Sequence, residues 1–521
     1  MTRFHRSTAP FAGIAAPPLV WIAVGAAAAG SWAALAYSRA GLSLSHYDAR
    51  GHLVVARRIA DSITPGWQQI GAVWLPLPHL LNAGPVQIEA FYRSGASAIA
   101  LSVLAFAAAA AGIAHIVATL TRSWVAATAA AALFVMNPSL LYLQSTPMTE
   151  PLFLGLTIAA VAVLLEWCLH GGRRDARRAG WLFALACLTR YEAWPVTVAA
   201  LGAATLWRFN AFTGESGSRF PTAVRDVLHI AAYPIAAIVG FTIFSRVVVG
   251  SWYARGFFVP DNPAQGHPLA ASASILWGLR EVGGTAALLA ASLGAAILLV
   301  RASGSRRDFA GVVPLALAAT AAVPFTAFVA GHPYRIRYVV PLLAVEAICA
   351  GVALGAWKPG RRWFAAALVG VAVFEIPPMT PSPVVLEAQW DVPNAAARRA
   401  VTTCLANGYA GETIMASMGS LGHYMQTLSR EGFAIRDFLH EGNGDIWLSA
   451  LDNPRPYAGW ILTEERAEGG DMLATAARTR PAFLDGFERA CAGGGVVLYR
   501  RRPIPAAARS DHSRGSSAPV R

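Results

Sequence analysis

The sequence predicts a polytopic α-helical membrane protein with a small α/β domain near its C-terminus. Of the 521 residues, 55% are hydrophobic and only 14% are charged, whereas a soluble chain usually carries roughly a quarter charged residues. Apolar runs recur through residues 1–380, and most are close to the about 20 residues that cross a bilayer. From residue 385 onward, charge rises and short alternating segments replace the long apolar runs. That change predicts the second domain.

About eleven membrane spans are predicted. They cover residues 17–37, 94–120, 124–143, 151–170, 180–190, 193–208, 228–249, 273–300, 309–330, 338–357 and 362–378. The fifth and sixth are short and meet within residues 189–195. Interrupted apolar segments are tolerated where they line a cavity, so this pair is predicted to reach part-way into the membrane beneath an outward-facing site.

Basic residues in the short connections predict the orientation. Clusters fall on one side of the predicted spans, and these are Arg3 with Arg6, Arg173 with Arg174, Arg177 and Arg178, Arg301 with Arg306 and Arg307, and Lys358 with Arg361 and Arg362. Positive residues stay on the cytoplasmic side. The N-terminus is therefore predicted to be cytoplasmic and, with an odd number of spans, the C-terminal domain extracytoplasmic. The basic, apolar N-terminus also resembles a signal peptide, but its apolar run is long for one, which favours a retained helix.

The net charge of +13 fits this topology and anionic lipid headgroups, so membrane lipids are predicted partners and nucleic acid is not. Two large outer loops are predicted. The first, 38–93, contains a surface helix at 49–62 and two tryptophans, Trp67 and Trp74, suited to the membrane interface. The second, about 250–271, holds Trp252, Tyr253, Arg255 and Asp261.

The C-terminal α/β domain is predicted to cover residues 385–500. A helix near 392–407 precedes strands near 413–417, 460–462 and 496–500, and residues 501–521 form a disordered basic tail. Cys404 and Cys491 lie in this domain. In an oxidising compartment they can form a disulfide, and two free thiols are the alternative.

Ionisable residues from four separate segments fall at predicted outer ends of spans. They are Asp48, Glu150, Arg190, Glu192, Arg335 and Arg337. Charge beside a hydrophobic span is costly and indicates a functional role. Each residue also has a structural alternative: Asp48 can cap a helix, Glu150 can pair with Arg190, and the arginines at 335 and 337 can bind headgroup phosphates. All four segments are predicted to place their charged residues at the same level, the outer end of a membrane span, and this agreement favours a shared site.

These features together resemble the GT-C superfamily of polyprenyl-phosphate-sugar glycosyltransferases. The resemblance rests on the aspartate soon after the first helix, the long first loop, the turn formed by Thr149, Glu150 and Pro151, and the C-terminal outer domain. The resemblance covers about residues 10–380. Within the superfamily, the sequence is similar to the branch that contains protein O-mannosyltransferases and the lipid A aminoarabinose transferase. The resemblance implies an inverting enzyme of the cytoplasmic (inner) membrane, with a polyprenyl-phosphate-sugar donor and a protein, glycan or lipid acceptor.

The resemblance also implies residue roles. By position, Asp48 is the base that accepts the proton of the acceptor hydroxyl. Many relatives carry a second acidic residue next to the first; here Ala49 follows, so Glu150 is the expected helper. The donor phosphate is expected on Arg337, Arg335 and Arg190, because the arginine fork binds two phosphate oxygens.

The remaining cavity residues and the question of a metal complete the predicted site. The cavity is expected to include His52, Tyr191, Glu192, His332 and Tyr338. No cofactor or metal is predicted, because Asp48, Ala49 and Arg50 lack the acidic pair with which some relatives hold a divalent ion. A metal assembled across loops from His52, His79, Glu89 and His332 is the alternative that we do not favour.

Two other functions fit a chain with many spans. A transporter or lipid flippase for an envelope precursor would also have interrupted helices, but it would tend to place ionisable groups near the midplane and to show internal repeats. A non-enzymatic assembly or sensor protein would leave the convergent charges at the outer ends unexplained. A glycosyltransferase is therefore the favoured prediction.

Overall fold

The computed structural model describes residues 16–211, 216–250, 252, 262–304, 309–390, 392–466 and 469–503. These residues form two compact units. Unit 1 comprises the described residues up to Ile59 and from Trp67 to 390, and unit 2 comprises Ala60–Gly66 with the described residues from Val392 onward. The predicted basic residues at 3, 6, 306 and 307, most of the second predicted loop (Tyr253, Arg255 and Asp261 included) and the tail from 504 lie outside the described residues.

Unit 1 is built from helices. They are α1 (Ala16–Arg39), α2 (Tyr47–Arg58), α3 (Leu77–Ala83), α4 (Glu89–Ser94), α5 (Ala96–Thr121), α6 (Trp124–Val135), α7 (Pro138–Leu143), α8 (Glu150–His170), α9 (Arg173–Cys187), α10 (Ala193–Ala211), α11 (Ser216–Phe244), α12 (Pro268–Gly283), α13 (Thr285–Ala302), α14 (Ala322–Val329), α15 (Leu343–Ala356), α16 (Arg361–Glu375) and α17 (Pro383–Ala388). Segments of 3-10 helix occupy Trp67–Ile70, Pro85–Gln87, Ala310–Ala321 and Ile336–Leu342, and a π-helical turn, Ser245–Val249, follows α11.

Seven stretches of the described chain are long and apolar enough to cross a membrane. They are Pro18–Arg39, Ala96–Thr121, Glu150–His170, Pro221–Val249, Thr285–Ala302, Ala310–Val329 and Ile336–Ala356. Each of these stretches falls on a predicted span. In lipid the backbone groups must bond to each other within a helix, so a long apolar run forms a helix that can cross the membrane. The structure confirms a polytopic helical membrane protein.

Two predicted spans are interrupted. The span 124–143 breaks at Asn137, whose side-chain oxygen accepts the backbone N–H groups of Ser139 and Leu140 and so begins α7 anew. The span 273–300 breaks at Gly284, which has a φ of +86°, a conformation that ends a helix and suits glycine. The expected break between the fifth and sixth spans lies between α9 and α10.

The first loop folds into unit 1 more deeply than predicted. The helix expected on the surface at 49–62 is α2, and nine of its twelve residues are buried, Arg57 and Arg58 among them. Arg57 donates to the carbonyl of Val86, and Arg58 donates to that of Gln69. The surface prediction was wrong because the loop supplies polar partners for both charges.

Small residues hold the central helices close together. A Cβ atom on Gly155 would lie 2.7 Å from the carbonyl oxygen of Ala105, and one on Gly294 would clash with that of Cys349. Glycine therefore lets α8 pack against α5 and α13 against α15 at backbone distance, as is typical of membrane helices. This packing fixes the positions of α8 and α15, at whose N-terminal ends the site is assembled.

Unit 2 is an α/β unit around a five-stranded sheet. Its strands are β1 (Ile414–Ala416), β2 (Phe438–Leu439), β3 (Trp460–Glu464), β4 (Phe487–Gly493) and β5 (Val496–Arg501), in the order β2-β1-β3-β5-β4. β1 runs parallel to β2 and β3, and β5 runs antiparallel to β3 and β4. The helices are α18 (Ala395–Gly408), α19 (Met418–Arg430), α20 (Asp445–Asp452) and α21 (Met472–Thr479).

Three strands and the first helix of unit 2 match sequence predictions, whereas β2 and β4 were not predicted. β2 has two residues, and β4 is largely exposed, so neither shows a run of alternating apolar residues. A disulfide joins Cys404 on α18 to Cys491 on β4, with Cα atoms 6.6 Å apart. A buried ion pair between Arg398 and Glu464, 2.8 Å, connects α18 to β3.

Candidate active site

Arg337 is the centre of a buried cluster of charges. It lies in the 3-10 segment Ile336–Leu342 and is 5% exposed. Its Nη2 atom donates to Oδ2 of Asp48, and its Nη1 atom lies 3.2 Å from Oε1 of Glu150. Its guanidinium carbon also lies 4.8 Å from the centre of the Tyr338 ring, within range of a cation–π contact. One guanidinium thus binds two of the carboxylates selected from the sequence.

Asp48 lies in the first turn of α2. His46, rather than Asp48, is the N-cap residue: its Nδ1 accepts the backbone N–H of Asp48 at 3.0 Å. Burial, the largest single effect, opposes ionisation of Asp48, but the charge and hydrogen bond of Arg337 together with smaller effects of His46 and His52 outweigh burial, so the pKa of the Asp48 carboxyl lies well below its usual value. Asp48 is therefore a carboxylate at neutral pH.

Glu150 bridges the two arginines of the cluster. It is the first residue of α8, and its side chain is fully buried. Its Oε1 atom lies 3.1 Å from Nη1 of Arg190 and 3.2 Å from Nη1 of Arg337. Its Oε2 atom has no hydrogen-bond partner among the residues that the structure describes. One oxygen of Glu150 therefore joins two cations while the other is left for water or a ligand.

Arg190 and Glu192 lie in the break between α9 and α10. Nε of Arg190 donates to Oε1 of Glu192 at 3.2 Å, and Nη1 donates to the hydroxyl of Thr149 at 3.0 Å. The ion-pair alternative raised for Arg190 is thus present, with both Glu150 and Glu192 as partners. The cluster forms an alternating chain of charges that runs from Asp48 through Arg337, Glu150 and Arg190 to Glu192.

Sequence reasoning missed Glu387 and His46. Glu387 lies on α17, and its Oε2 accepts the backbone N–H of Ile336 at 2.9 Å. Its Oε1 is 3.8 Å from Nε of Arg337 and 3.8 Å from Nε2 of His46. The available signal was an acidic residue in a short helix after the last predicted span, but that position fell inside the predicted C-terminal domain. Glu387 fixes the backbone that presents Arg337.

The cluster has four carboxylates and two guanidiniums. The carboxylates belong to Asp48, Glu150, Glu192 and Glu387, and the cations to Arg190 and Arg337. Burying ions costs several kcal/mol each unless partners and hydrogen bonds compensate. An arrangement this costly, brought together from five segments, is the kind of electrostatic preorganisation that functional sites use.

A histidine pair lies beside the cluster in the first loop. Nδ1 of His52 is 3.0 Å from Nε2 of His79, and the His52 ring lies 4.2 Å from that of Trp74. Burial, together with the positive charges of Arg190 and Arg337, lowers the pKa of His52 to about 3 against the opposing effect of Asp48. His52 is therefore neutral at physiological pH. Within the described ranges, no group of three or more His, Cys, Asp or Glu side chains could hold a metal ion.

The other predicted site residues lie around the cluster. Tyr191 donates to the carbonyl of Ala72 at 3.3 Å, which ties the α9–α10 break to the first loop. Nδ1 of His332 is 2.8 Å from the carbonyl oxygen of Pro333, and its ring is 5.6 Å from that of Tyr338. Arg335 is half-buried at the N-cap of the 3-10 segment that carries Arg337.

Comparison with solved structures identifies the fold. By sequence, no protein-family model and no curated protein matches the chain. Its structure is similar to ArnT from Cupriavidus metallidurans bound to undecaprenyl phosphate, over 93% of this chain and 98% of that one, with 14% identity and a TM-score of 0.53. Apo ArnT from the same organism gives 92% and 98% coverage, 14% identity and a TM-score of 0.52. The chain therefore has the GT-C membrane fold expected from its sequence.

Proposed function

We propose that this chain is a membrane glycosyltransferase that moves a sugar from a polyprenyl-phosphate donor to an acceptor hydroxyl at the outer face of the cytoplasmic membrane. The observation that carries the proposal is the single buried cluster formed by Asp48, Glu150, Arg190 and Arg337 from four separate segments. The GT-C fold supports it, and so does the undecaprenyl phosphate bound to ArnT. Fold alone would not suffice, because one fold hosts many functions.

The two arginines are suited to the donor phosphate. A guanidinium presents a planar fork that binds two phosphate oxygens, and it stays charged at any physiological pH. Arg337 would meet the phosphate through Nη2, the atom now held by Asp48, while Glu150 keeps Nη1 in place. Donor binding would thus exchange one anion for another on a positioned cation.

That exchange would prepare Asp48 as the base. The charge of Arg337 lowers the pKa of Asp48 and so weakens it as a proton acceptor. When the phosphate takes over Nη2, Asp48 loses that stabilisation and becomes more basic. A general base is most effective when its pKa approaches the working pH, so binding of the donor would activate the residue that the acceptor needs.

The reaction is a single displacement. The acceptor oxygen forms a bond to the anomeric carbon while the bond from that carbon to the phosphate oxygen breaks. The bonding electrons leave with the lipid phosphate, the hydroxyl proton passes to Asp48, and attack from the face opposite the phosphate inverts the anomeric centre. Arg337 and Arg190 stabilise the charge that develops on the leaving phosphate.

Replacing Asp48 with asparagine tests the proposal. The purified chain in nanodiscs would be given radiolabelled sugars on undecaprenyl phosphate together with envelope extract as acceptor. We expect Asp48→Asn to reduce kcat by about 10²–10⁴, because the amide cannot take the proton. Glu89→Gln is the control in the same loop, since Glu89 pairs with Arg57 and Arg93 outside the cluster. Full activity of a folded Asp48→Asn variant would remove Asp48 as the base.

A transport function would give a different result. In proteoliposomes, a flippase would move the labelled donor across the bilayer without forming a new glycosidic bond, and Asp48→Asn would not affect a bond-forming step. Wild-type protein that translocates donor but never transfers sugar would contradict the glycosyltransferase proposal.

The proposed orientation has its own test. With a cytoplasmic N-terminus and an odd number of spans, unit 2 would lie outside the cytoplasm, as the arginine-rich connections predict. Alkaline phosphatase fused after Arg521 should then be active, and green fluorescent protein at the same position should not fluoresce. The opposite pattern would place the active site on the cytoplasmic face.

A further inference from the structure

A second acidic site lies deep in the membrane part of unit 1. Glu346 is the middle residue of the span Ile336–Ala356, and its side chain is 6% exposed. It lies roughly 16 Å along the span from Arg337, from the rise of the 3-10 and α segments between them. Its Oε2 atom has no hydrogen-bond partner among the described residues. A carboxylate at this depth is expensive and indicates a functional site.

Glu346 lines a cavity of about 30 Å³, enough for roughly two waters or for one small ion with a water. The lining comes from places where helices break or end: Asn137 at the α6–α7 break, Gly283 at the end of α12, Ile376 just after α16, and Leu343 at the start of α15. The remaining lining side chains are apolar. None of the lining side chains is basic.

Three helices end at the lining of the cavity, and α7, α13 and α15 begin at or next to it. α6, α12 and α16 all finish here, and the last carbonyls of a helix have no partner within it and carry partial negative charge. Nδ2 of Asn137 bonds the carbonyl of Val282 at 2.6 Å and so holds two of these ends together. The N-terminus of α13 is satisfied separately, since Oε2 of Glu375 accepts the N–H of Ala286 at 3.1 Å. The cavity therefore combines an Oε2 atom of Glu346 that lacks a hydrogen-bond partner among the described residues with the C-terminal ends of three helices.

We infer that this cavity binds a monovalent metal cation, Na⁺ in particular. Helix C-terminal ends and unwound carbonyls are the groups that coordinate Na⁺ within membrane proteins. One carboxylate balances one positive charge, whereas a divalent ion would leave an uncompensated charge in a low-dielectric region. A cavity of about 30 Å³ suits a small inorganic ion. This site is separate from the Asp48 cluster and does not depend on the proposed sugar transfer.

Sodium should therefore stabilise the folded chain. Purified full-length protein in detergent micelles would be heated in NaCl or in choline chloride at equal ionic strength. We expect Tm to rise with the logarithm of the Na⁺ concentration, by roughly 3–6 °C when Na⁺ reaches about a hundred times its Kd. Equilibrium binding of ²²Na⁺ should saturate near one ion per chain. A wild-type protein with neither a sodium-dependent Tm nor saturable ²²Na⁺ binding would overturn the inference.

Matched variants localise the effect. Glu346→Gln should abolish both the Tm shift and ²²Na⁺ binding, and Glu375→Gln should retain them even where it lowers the basal Tm. Gly283→Ala places a Cβ atom 2.5 Å from Oε2 of Glu346, so it should weaken sodium binding at least tenfold without removing a charge. Gly370→Ala on α16, where a Cβ atom meets nothing within 4 Å, is its control.

A proton is the competing occupant. If Glu346 is held as a neutral carboxylic acid, acidification will raise Tm in choline chloride and Na⁺ will have no effect at any pH between 6 and 8. That pattern, or an unchanged sodium response in Glu346→Gln, would contradict the sodium site.

Discussion

Substitution of Glu150 by glutamine tests the central ion pair of the cluster, and Glu192→Gln is the matched comparison. Two unit charges about 4 Å apart attract by about 4 kcal/mol at an effective dielectric constant of about 20. Glu150 contacts Arg190 at 3.1 Å and Arg337 at 3.2 Å, whereas among the described arginines Glu192 pairs with Arg190 alone. Both carboxylates are buried, so the desolvation cost relieved by losing the charge is similar. We therefore expect Glu150→Gln to lower the free energy of unfolding by about 4 kcal/mol more than Glu192→Gln does.

The measurement is equilibrium unfolding in mixed dodecyl maltoside and SDS micelles, followed by tryptophan fluorescence. Far-ultraviolet circular dichroism before titration would establish that both variants begin with native helix content. The double variant should cost more than the two single costs combined, because only the double variant leaves Arg190 without either carboxylate. Equal costs for the two single variants, or a larger cost for Glu192→Gln, would refute the assignment of Glu150 as the bridge between the two arginines.

Three further predictions concern other charges and the disulfide. The pKa of His52 in the folded chain is about 3, below its ordinary value, so as pH falls below about 6.5 the unfolded chain binds a proton that the folded chain does not, and acid destabilises the fold. His52→Asn should therefore reduce the loss of unfolding free energy between pH 7 and pH 4.5 by about 2 kcal/mol. An unchanged loss would contradict the buried, neutral imidazole. Cys404→Ser should remove the disulfide to Cys491 and lower the stability of unit 2 by about 2–4 kcal/mol, measured by calorimetry, with a mobility difference between reduced and non-reduced wild type on gels as the check on pairing. Arg398→Met leaves Glu464 buried without its cation and should cost about 3–5 kcal/mol in the same calorimetric transition; a cost near zero would mean that the pair contributes nothing to unit 2.

The membrane fold was predictable because lipid allows few solutions. An apolar run of sufficient length has to be a helix, and the order of outer aspartate, long first loop and Thr149–Glu150–Pro151 turn indicated the GT-C arrangement. The length of an apolar run does not reveal where a side chain interrupts the helix. Asn137, for example, caps a new helix inside a predicted span. In unit 2, the same logic found strands with apolar alternation and missed the exposed β4.

The site was partly predictable for a different reason. Asp48 and Arg337 are 289 residues apart in sequence and in direct contact, and what linked them beforehand was a shared depth in the predicted membrane. Glu387 also follows a predicted span, but its position was assigned to the C-terminal domain, and no pattern around residue 387 encodes its partner, the backbone N–H of Ile336. Supporting residues of this kind are set by tertiary packing and emerge only from the folded chain.

The excess of carboxylates over guanidiniums in the cluster sets the order of events in the proposed reaction. A phosphate that enters beside four carboxylates and two guanidiniums meets net repulsion unless it displaces one carboxylate from its cation. Asp48 is the carboxylate to be displaced, because it pairs with Arg337 and also has to move toward the acceptor. Once the acceptor proton reaches Asp48, that residue becomes neutral as the leaving phosphate gains its negative charge. The total charge stays constant, but the carboxylate that competed for Arg337 has disappeared. Arg337 therefore binds the phosphate more strongly in the transition state than in the ground state, which is the condition for an interaction to raise the rate.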